Sequence, residues 1–411
     1  MNKVITMALI LLNSQITHAQ VWLPLDDGLN NKVADLLLLD NDNLFITGDF
    51  SADGDGKILN GIAVWDGSAF NTLSGSQALT TENVKLYAYE PVLINDSICF
   101  VYDNHLFGSY VTVPGEASEI YTPPTFTLEG QELYFEKPTV VCYNGNLFSI
   151  LSLPLEAQTL GEVNGQLIIG VKPIEAGNPI AYSWDGSELD SLILSGSFAG
   201  QFSTGGRVHQ IDEYNGFPLF VGKIGTSPIS PVFYWGENGE PVGLSNDFPT
   251  SSEVSNENMS ILAVEWFNNN LYISTARFID STPRHLFKLV DGNWVSVIDD
   301  LFGKIEAMMS TDNFLYVTGR IGHINGVDCT VSRWDGTNWE CVSDVGIRSF
   351  DLIYHGSEVD DLIVFQNELI ISGEIADANG LRVMNICRLY SGPELITEDE
   401  GDEFLDQDEN H

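Results

Sequence analysis

The sequence predicts an all-β fold: a seven-bladed β-propeller of four-stranded antiparallel blades, closed by a strand from the N-terminal end. Three observations lead there. An apolar strand ending in glycine recurs along the chain, as LFITGDF (44–50), LIIGVK (167–172), LFVGKI (219–224), LYVTGRI (315–321) and LIISGEI (369–375). Each copy is followed by a loop of variable length, a second strand and a tight turn, as in AVWDGSAF (63–70), YSWDGSEL (182–189), FYWGENGE (233–240), SRWDGTNW (332–339) and CRLYSGPE (387–394). A unit repeating every roughly 40–55 residues marks a propeller, solenoid or array, and strand-like runs exclude a helical solenoid. Finally, the last unit turns acidic after Tyr390 and lacks an outer strand, while Val21-Trp22-Leu23-Pro24-Leu25 resembles the outer strand Trp339-Glu340-Cys341-Val342. A strand lent by one end of the chain to the blade at the other closes the ring and removes an open edge. An open β-array, the alternative, needs no such strand.

Unit six serves as the template, with strands A to D expected over Ile305–Met309, Phe314–Gly319, Cys329–Trp334 and Trp339–Val342. These runs are rich in Val, Ile, Tyr, Phe and Trp, with Gly, Asn and Asp between them, as strands and their turns require. The A–B connections are short: Asn164-Gly165, Asn215-Gly216, Asn268-Asn269-Asn270 and Thr311-Asp312-Asn313. The C–D connections number seven: Asp66-Gly67, Asn144-Gly145, Asp185-Gly186, Gly236 to Gly239, Asp291-Gly292, Asp335-Gly336 and Ser391-Gly392. Asp-Gly suits a two-residue hairpin because both central residues take positive φ. Trp334 and Trp339 are each expected to stabilise by roughly 2–3 kcal/mol by knitting a blade to its neighbour. The long gap between the first two C–D turns places an insertion at about residues 104–136, between strands B and C of unit two.

This pattern resembles the kelch-like propellers of the galactose-oxidase type found in secreted and surface proteins. The resemblance covers nearly all of residues 20–392 and is carried by the Gly-ended B strand and the Trp-bearing C–D hairpin. One glycine (Gly48, Gly170, Gly222, Gly319, Gly373) stands where the kelch pattern has a pair, and unit five has Ser274 there. A WD-repeat reading fits less well, because the Trp-Asp pairs sit at the C–D turn and no Gly-His signature accompanies them.

The 411 residues carry 17 Lys plus Arg against 58 Asp plus Glu, a formal net charge of −41. Such a surface repels nucleic acid and anionic lipid and favours cations, basic partners or simple solubility. Residues 1–19 read as a signal peptide: Lys3, an apolar run Val4–Leu12 too short to span a bilayer, then Thr17-His18-Ala19 before Gln20. No later segment reaches membrane-spanning length, so the expected location is secreted, surface-bound or periplasmic. Residues 393–411 hold nine acids and no base and form a solvated tail. Five cysteines, Cys99, Cys142, Cys329, Cys341 and Cys387, include no CxxC pair. Export permits a Cys329–Cys341 disulfide, but buried free thiols are the expected state.

No catalytic signature emerges. The seven histidines form neither HxH nor HExxH, there is no GxSxG, and no phosphate-cradling loop is present. The Tyr, Cys and His set of propeller copper oxidases does not map onto the chain, and the sialidase Asp-box fails by one residue at Ser332–Gly336. No cofactor is expected, with one local qualification: Asp49, Asp53, Asp55 and Asn60 alternate with glycines in GDFSADGDGKILNG. Asp53 and Asp55 are the candidate calcium ligands there. The spacing is not that of an EF-hand, and a plain turn is favoured.

Topology points to the site. The A–B and C–D turns share one face and are tight; the B–C and D–A connections share the other and vary in length, at 50–61, 104–136, 194–206, 244–259 and 343–359. Variable loops on a rigid scaffold are where binding concentrates. The candidates on this face are Asp49, His105, Tyr110, Tyr121, Lys223, Arg320, His323 and Glu374. Phe107, Tyr134 and Phe135 of the insertion add aromatic surface that either stacks on a sugar or covers the insertion's own core. Lys223, Arg320, Asp49 and Glu374 follow the B-strand glycine in their units, and Arg320 is expected to offset the carboxylates beside it. The reading is an exported, monomeric binding or interaction module for a protein or glycan. Its alternatives are a polysaccharide-processing enzyme with carboxylates in the central funnel and a structural surface protein. Three or more carboxylates with a histidine or tyrosine around the axis would favour the enzyme; an evenly acidic funnel would favour the scaffold.

Export predicts cleavage near Ala19. Intact-mass measurement of protein recovered outside the cytoplasm should show a chain beginning at Gln20, and retention of residues 1–19 in that material would refute it.

Overall fold

A computed structural model describes residues 21–39, 42–73, 87–103, 125–128, 131–134, 137–173, 178–192, 207–223, 232–244, 259–277, 286–298, 301–324, 327–342, 347–348, 358–378 and 381–390. Seven four-stranded antiparallel blades follow one another as a propeller. Strands A to D of blade 1 are Val33–Leu38, Leu44–Gly48, Ile62–Trp65 and Phe70–Asn71. In blade 2 they are Tyr87–Ile94, Ser97–Asp103, Thr139–Tyr143 and Phe148–Leu151, with an inserted hairpin Thr125–Leu128 and Gln131–Tyr134. Blade 3 comprises Ala157–Val163, Gln166–Val171, Ala181–Trp184 and Leu189–Leu192; blade 4 comprises Arg207–Tyr214, Phe217–Lys223, Val232–Trp235 and Pro241–Gly243. Blade 5 is Met259–Phe267, Asn270–Arg277, Leu286–Val290 and Asn293–Ser296; blade 6 is Leu301–Ser310, Leu315–Ile324, Ser332–Trp334 and Trp339–Cys341. Blade 7 takes Glu358–Phe365, Glu368–Glu374 and Ile386–Tyr390 from its own sequence and Val21–Pro24 as strand D.

The closing strand is therefore where the sequence put it. Val21 pairs with Tyr390, Trp22 with Leu389, Leu23 with Arg388 and Pro24 with Cys387. Trp22 is fully buried and packs in one cluster with Val331 and Val342 of blade 6 as well as blade 7. The chain then runs on past Leu29, whose N–H donates to Met384 O (2.8 Å), and Gly28 O accepts from Gly54 N–H (3.0 Å), so the closing segment also joins blade 7 to blade 1.

Strand A of every blade carries a β-bulge at the same place, between Val33/Asp35, Tyr89/Val92, Ala157/Thr159, Val208/Gln210, Ile261/Ala263, Ile305/Ala307 and Val359/Asp361. The extra residue pushes the A backbone toward strand B, which explains the recurring glycine. A Cβ on Gly48 would lie 2.3 Å from Lys32 O, and one on Gly319 would lie 2.5 Å from Lys304 O and 2.6 Å from Glu306 N. At these two positions a side chain has no room, whereas blades 2 and 5 carry Val101 and Thr275 at the corresponding register.

The Asp-Gly turns have an equally specific cause. Asp66 Oδ1 accepts from the Ser68 N–H, the Ser68 hydroxyl and the Ala69 N–H; Asp185 and Asp335 do the same at their turns. The carboxylate thus caps a four-residue loop, at 66–69, 185–188 and 335–338, in which only the glycine has positive φ, 97° at Gly336, instead of the expected two-residue hairpin; Asp291-Gly292 alone among these keeps the two-residue form, with φ 49° and 77°. The expected turn at Ser391-Gly392 lies outside the described residues. The Trp334 and Trp339 rings lie 5.1 Å apart, tilted by 33°, and pack with Phe267 and Tyr272 of blade 5.

Two expectations are corrected. Cys329 and Cys341 form a disulfide, not free thiols, because they flank one C–D hairpin with Cα atoms 5.7 Å apart. Cys99 and Cys142, directly opposite on strands B and C of blade 2, form a second, with Cα atoms 4.0 Å apart. Cys387 alone is a buried free thiol among the five. In blade 6, strands A and B run well past the expected ends, pairing as far as Leu301 with Ile324. Among the described residues no helix is long and apolar enough to cross a membrane, and two disulfides are compatible with an oxidising compartment.

Closure predicts that Trp22→Ala, which empties a fully buried site at the seam of blades 6 and 7, lowers stability by about 3–5 kcal/mol. Deleting residues 21–25 should lower the melting temperature of the whole ring. Denaturant and thermal unfolding check both, and a deletion variant melting like the intact protein would refute closure.

Candidate binding site at the mouth of the central funnel

Strand A is the inner edge of each blade, so some of its N–H groups have no ladder partner. Polar side chains at the bulges supply acceptors across the blade boundaries. Asp361 Oδ2 of blade 7 accepts from Leu36 N–H of blade 1 (2.8 Å), and Asp35 Oδ2 of blade 1 accepts from Glu90 N–H of blade 2 (2.9 Å). The Thr159 hydroxyl of blade 3 donates to Glu90 Oε2 (2.8 Å), and Gln210 of blade 4 makes a paired bond to Val264 N and O of blade 5 (2.9 and 3.1 Å). Blade 5 uses strand B instead: the Ser274 hydroxyl donates to Ile305 O of blade 6 (3.0 Å) and accepts from Ala263 N–H. Ser274 is thus the latch of this blade, one place from Thr275, which holds the register of the motif glycine.

Asp35, Glu90 and Asp361 bring three carboxyls together on the consecutive blades 7, 1 and 2. Burial, reinforced by the Asp35 charge, pushes the Glu90 and Asp361 carboxyls well above the ordinary range. Asp35 is raised by burial too, opposed by the Glu90 N–H bond and by Lys32. Glu90 is held at φ 54°, a conformation unfavourable for a non-glycine residue, and precedes Pro91 within the bulge. A strained, half-buried carboxyl of raised pKa is a functional-site marker.

Glu90 also lines a cavity of about 320 Å³ between blades 2, 3 and 4, together with Tyr89, Asp103, Glu156, Gln158, Lys172 and His209 among others. These residues stand at the B-strand ends and A-strand starts, which is the long-loop face. Asp103 and Pro138, both on the cavity wall, flank the insertion at 104–136, so that segment grows from the rim. Tyr87 and Tyr89 stack at 5.0 Å between ring centroids. Burial raises both phenols, with Asp35 the foremost nearby charge on Tyr87 and Asp103 on Tyr89. Lys172 Nζ meets Glu156 Oε2 at 2.9 Å. The Gln158 side-chain oxygen is buried at the wall with no hydrogen-bond partner among the described residues. The cavity therefore offers an aromatic face, several carboxyls, an imidazole and an acceptor oxygen: a set suited to a polar ligand carrying hydroxyl groups.

The residues singled out by sequence distribute differently. Asp49 and Glu374 stand at B-strand ends on blades 1 and 7; Asp49 Oδ2 accepts from Asn31 Nδ2 (2.9 Å), and Glu374 pairs in register with Glu358. Lys223 and Arg320 occupy the equivalent backbone positions on blades 4 and 6, opposite Arg207 and Lys304. His323 lies further along the extended B strand of blade 6, opposite Phe302 and Asp328. His105, Tyr110 and Tyr121 lie outside the described residues. Asp53 is largely buried and its Oδ1 accepts from Lys57 N–H (2.7 Å), capping a turn, while Asp55 is exposed. Among the described residues no group of three or more His, Cys, Asp or Glu side chains is placed to hold a metal ion. Sequence reading passed over Tyr87, Tyr89, Glu90, Asp103, Glu156, Lys172 and His209. One signal was present: Glu90-Pro91 interrupts the alternation of YAYEPVLI, and proline inside a strand marks a bulge or edge.

The buried acids set a pH dependence with a definite sign. Glu265, whose pKa burial raises to about 7, and Glu90 and Asp361 bind a proton more tightly folded than unfolded. Stability should rise as pH falls from about 7 toward 4.5, the ordinary glutamate value. Below that the turn aspartates act oppositely: Asp66, held down to about 2 first by the Ser68 hydroxyl, loses its contribution as pH falls from 3.8 through about 2. Asp361→Asn keeps the acceptor for Leu36 N–H and should be tolerated at pH 7 and weaken the pH dependence. Asp361→Ala orphans the Leu36 N–H and the Leu362 N–H, which donates to Asp361 Oδ1 (2.7 Å), and should cost about 2–4 kcal/mol. Melting temperature against pH for the three proteins checks this, and equal loss in both variants would refute it.

No protein-family model matches the chain, and no curated protein matches it. Solved structures similar in fold include the crystal structure of puromycin hydrolase, with TM-score 0.44 and 10% identity over 87% of this chain and 53% of that one. Another is a Mycobacterium tuberculosis puromycin-hydrolyzing peptidase, with TM-score 0.38 and 11% identity over 71% of this chain and 44% of that one. The chain thus spans about half the length of these proteins.

Proposed function

We propose that the protein is an exported binding module that takes a glycan at the funnel mouth of its long-loop face. One observation carries the reading: the cavity of about 320 Å³, large enough for one or two sugar rings, lies beside a stacked tyrosine pair and at the base of the insertion. Sugars bind by stacking an apolar ring face on an aromatic and by hydrogen-bonding hydroxyls to carboxyls and amides, and Tyr89, Glu156, Asp103 and Gln158 provide both. The two disulfides support export. The chain's kelch-like repeat pattern is compatible with such a role and adds nothing about the ligand.

A second reading is favoured by Glu90. A carboxyl whose pKa burial raises well above the ordinary range is suited to general-acid chemistry, and Asp103 and Glu156 on the same cavity wall, with Tyr89 and His209, make the carboxylate-rich arrangement that a polysaccharide-processing enzyme needs.

A glycan array on the mature chain, followed by calorimetry with its best hit, tests both. Tyr89→Ala should weaken binding by tenfold or more while the melting temperature holds. Absence of any glycan binding, or binding untouched by Tyr89→Ala, would refute the first reading. Slow release of reducing ends that is abolished in Glu90→Gln would establish the second in its place.

A further inference from the structure

The face opposite the funnel mouth, where the tight A–B and C–D turns lie, carries a second cavity, of about 580 Å³, between blades 1 and 2. Its walls come from both kinds of turn on both blades. Leu39, Val64, Leu73, Leu93 and Ile98 make an apolar floor, and Asp66 and Asp96 stand on exposed turns at its rim. Among the described residues no Lys, Arg or His lines it.

Strand register explains why this seam stays open. The last residue of strand C pairs with the first of strand D: Trp65 with Phe70, Tyr143 with Phe148 and Trp334 with Trp339. On blade 6 both rings are indoles and pack against Phe267 and Tyr272 of blade 5, and on blade 1 Trp65 and Phe70 pack with Phe365 of blade 7. Blade 2 turns the smaller pair Tyr143 and Phe148 toward blade 1. The Tyr143 hydroxyl is held within its own turn, donating to Gly145 O (2.6 Å). A phenol where the other two seams have an indole leaves space unfilled. The same turn departs from its counterparts at its fourth residue, which is Ala69, Glu188 or Asn338 elsewhere and Leu147 here, 53% exposed. An exposed leucine in the turn that walls an apolar-floored cavity, with acids around it, marks a surface that a partner covers.

Charge decides the occupant. The C–D turns of blades 1, 3, 5 and 6 each present an exposed aspartate on this face, Asp66, Asp185, Asp291 and Asp335. Asp66 stays ionised at physiological pH, because the Ser68 hydroxyl and the Ala69 and Ser68 N–H groups hold its carboxyl at about 2. A second copy of a chain with net charge −41 is repelled from such a surface, and a basic partner is attracted to it. We propose that this cavity is a docking site for a basic partner protein, which inserts one large apolar side chain between blades 1 and 2 and sets flanking lysines or arginines against Asp66 and Asp96. A large side chain seated in a preformed pocket is the usual anchor of a protein interface. The site is separate from the funnel mouth and does not depend on the glycan reading.

The test is fluorescence anisotropy on the protein with three labelled peptides, Gly-Lys-Trp-Lys-Gly, Gly-Lys-Ala-Lys-Gly and Gly-Glu-Trp-Glu-Gly, at low and physiological salt. The first should bind at least tenfold more tightly than the other two and weaken as salt rises. Tyr143→Trp supplies the indole that blades 1 and 6 have; it should lose at least tenfold for that peptide while the melting temperature holds or rises. Asp96→Asn gives a second readout if that variant folds poorly, since Asp96 sits at φ 62°, a conformation asparagine adopts readily. It should lose at least threefold and show a weaker salt dependence. Asp291→Asn, the same charge change on a turn of blade 5, should alter nothing. Equal binding of the tryptophan and alanine peptides would overturn the apolar anchor, and equal binding of the acidic peptide would overturn the basic partner. Binding untouched by both Tyr143→Trp and Asp96→Asn would overturn the placement. A dimer in sedimentation velocity that Tyr143→Trp abolishes would replace the partner by a second copy. No binding of any peptide would overturn the proposal outright.

Discussion

The bulge in the inner strand is the constraint on which the rest of this propeller depends. Seven sheets that meet around an axis leave their innermost strands as edges, with N–H groups that have no partner in their own blade. Adding one residue at the same point of every A strand turns the backbone, and on blades 1, 3, 4 and 7 it presents the following polar side chain to a neighbouring blade. Asp361, Asp35, Thr159 and Gln210 all follow a bulge, and all make a hydrogen bond to a neighbouring blade. The glycine opposite is a consequence of the same device, since the displaced backbone leaves no room for a Cβ at Gly48 or Gly319. The repeat and the seam are one feature viewed from two strands.

Using carboxyls as seams has a cost that becomes chemistry. Asp35, Glu90 and Asp361 lie close enough to shift one another, and burial makes the charged form of each expensive. The fold tolerates them because their oxygens accept hydrogen bonds from N–H and hydroxyl groups that would otherwise be orphaned. Protonation relieves the repulsion without losing those bonds. The same arrangement that joins blades 7, 1, 2 and 3 therefore leaves a carboxyl of unusual acidity at the wall of the cavity, next to the stacked tyrosines. Glu90 also sits in a strained backbone conformation there, at φ 54°.

Charge elsewhere follows a simpler logic. The exposed turn aspartates Asp66, Asp185 and Asp335 are spent on capping hairpins, and much of the remaining acid is surface.

The sequence by itself determined the number of blades, the four-strand unit, the tight turns and the borrowed closing strand. These depend on local chemistry: alternation with period two, Asp-Gly geometry, and a Trp-bearing strand missing at one end and present at the other. It also located Lys223, Arg320, Asp49 and Glu374 at B-strand ends, because each follows the motif glycine. Only the tertiary structure decided what those positions face. Arg207, Arg277 and Lys304 carry no motif of their own; their places opposite or beside Lys223 and Arg320 emerge from strand register, which the repeat pattern does not specify residue by residue once bulges intervene. The cavity residues Tyr89, Glu90, Asp103, Glu156 and His209 come from three blades, and the Cys99–Cys142 bond joins residues 43 apart in sequence. Contacts between blades are set by how the ring closes, so a reading of one unit at a time passes over them.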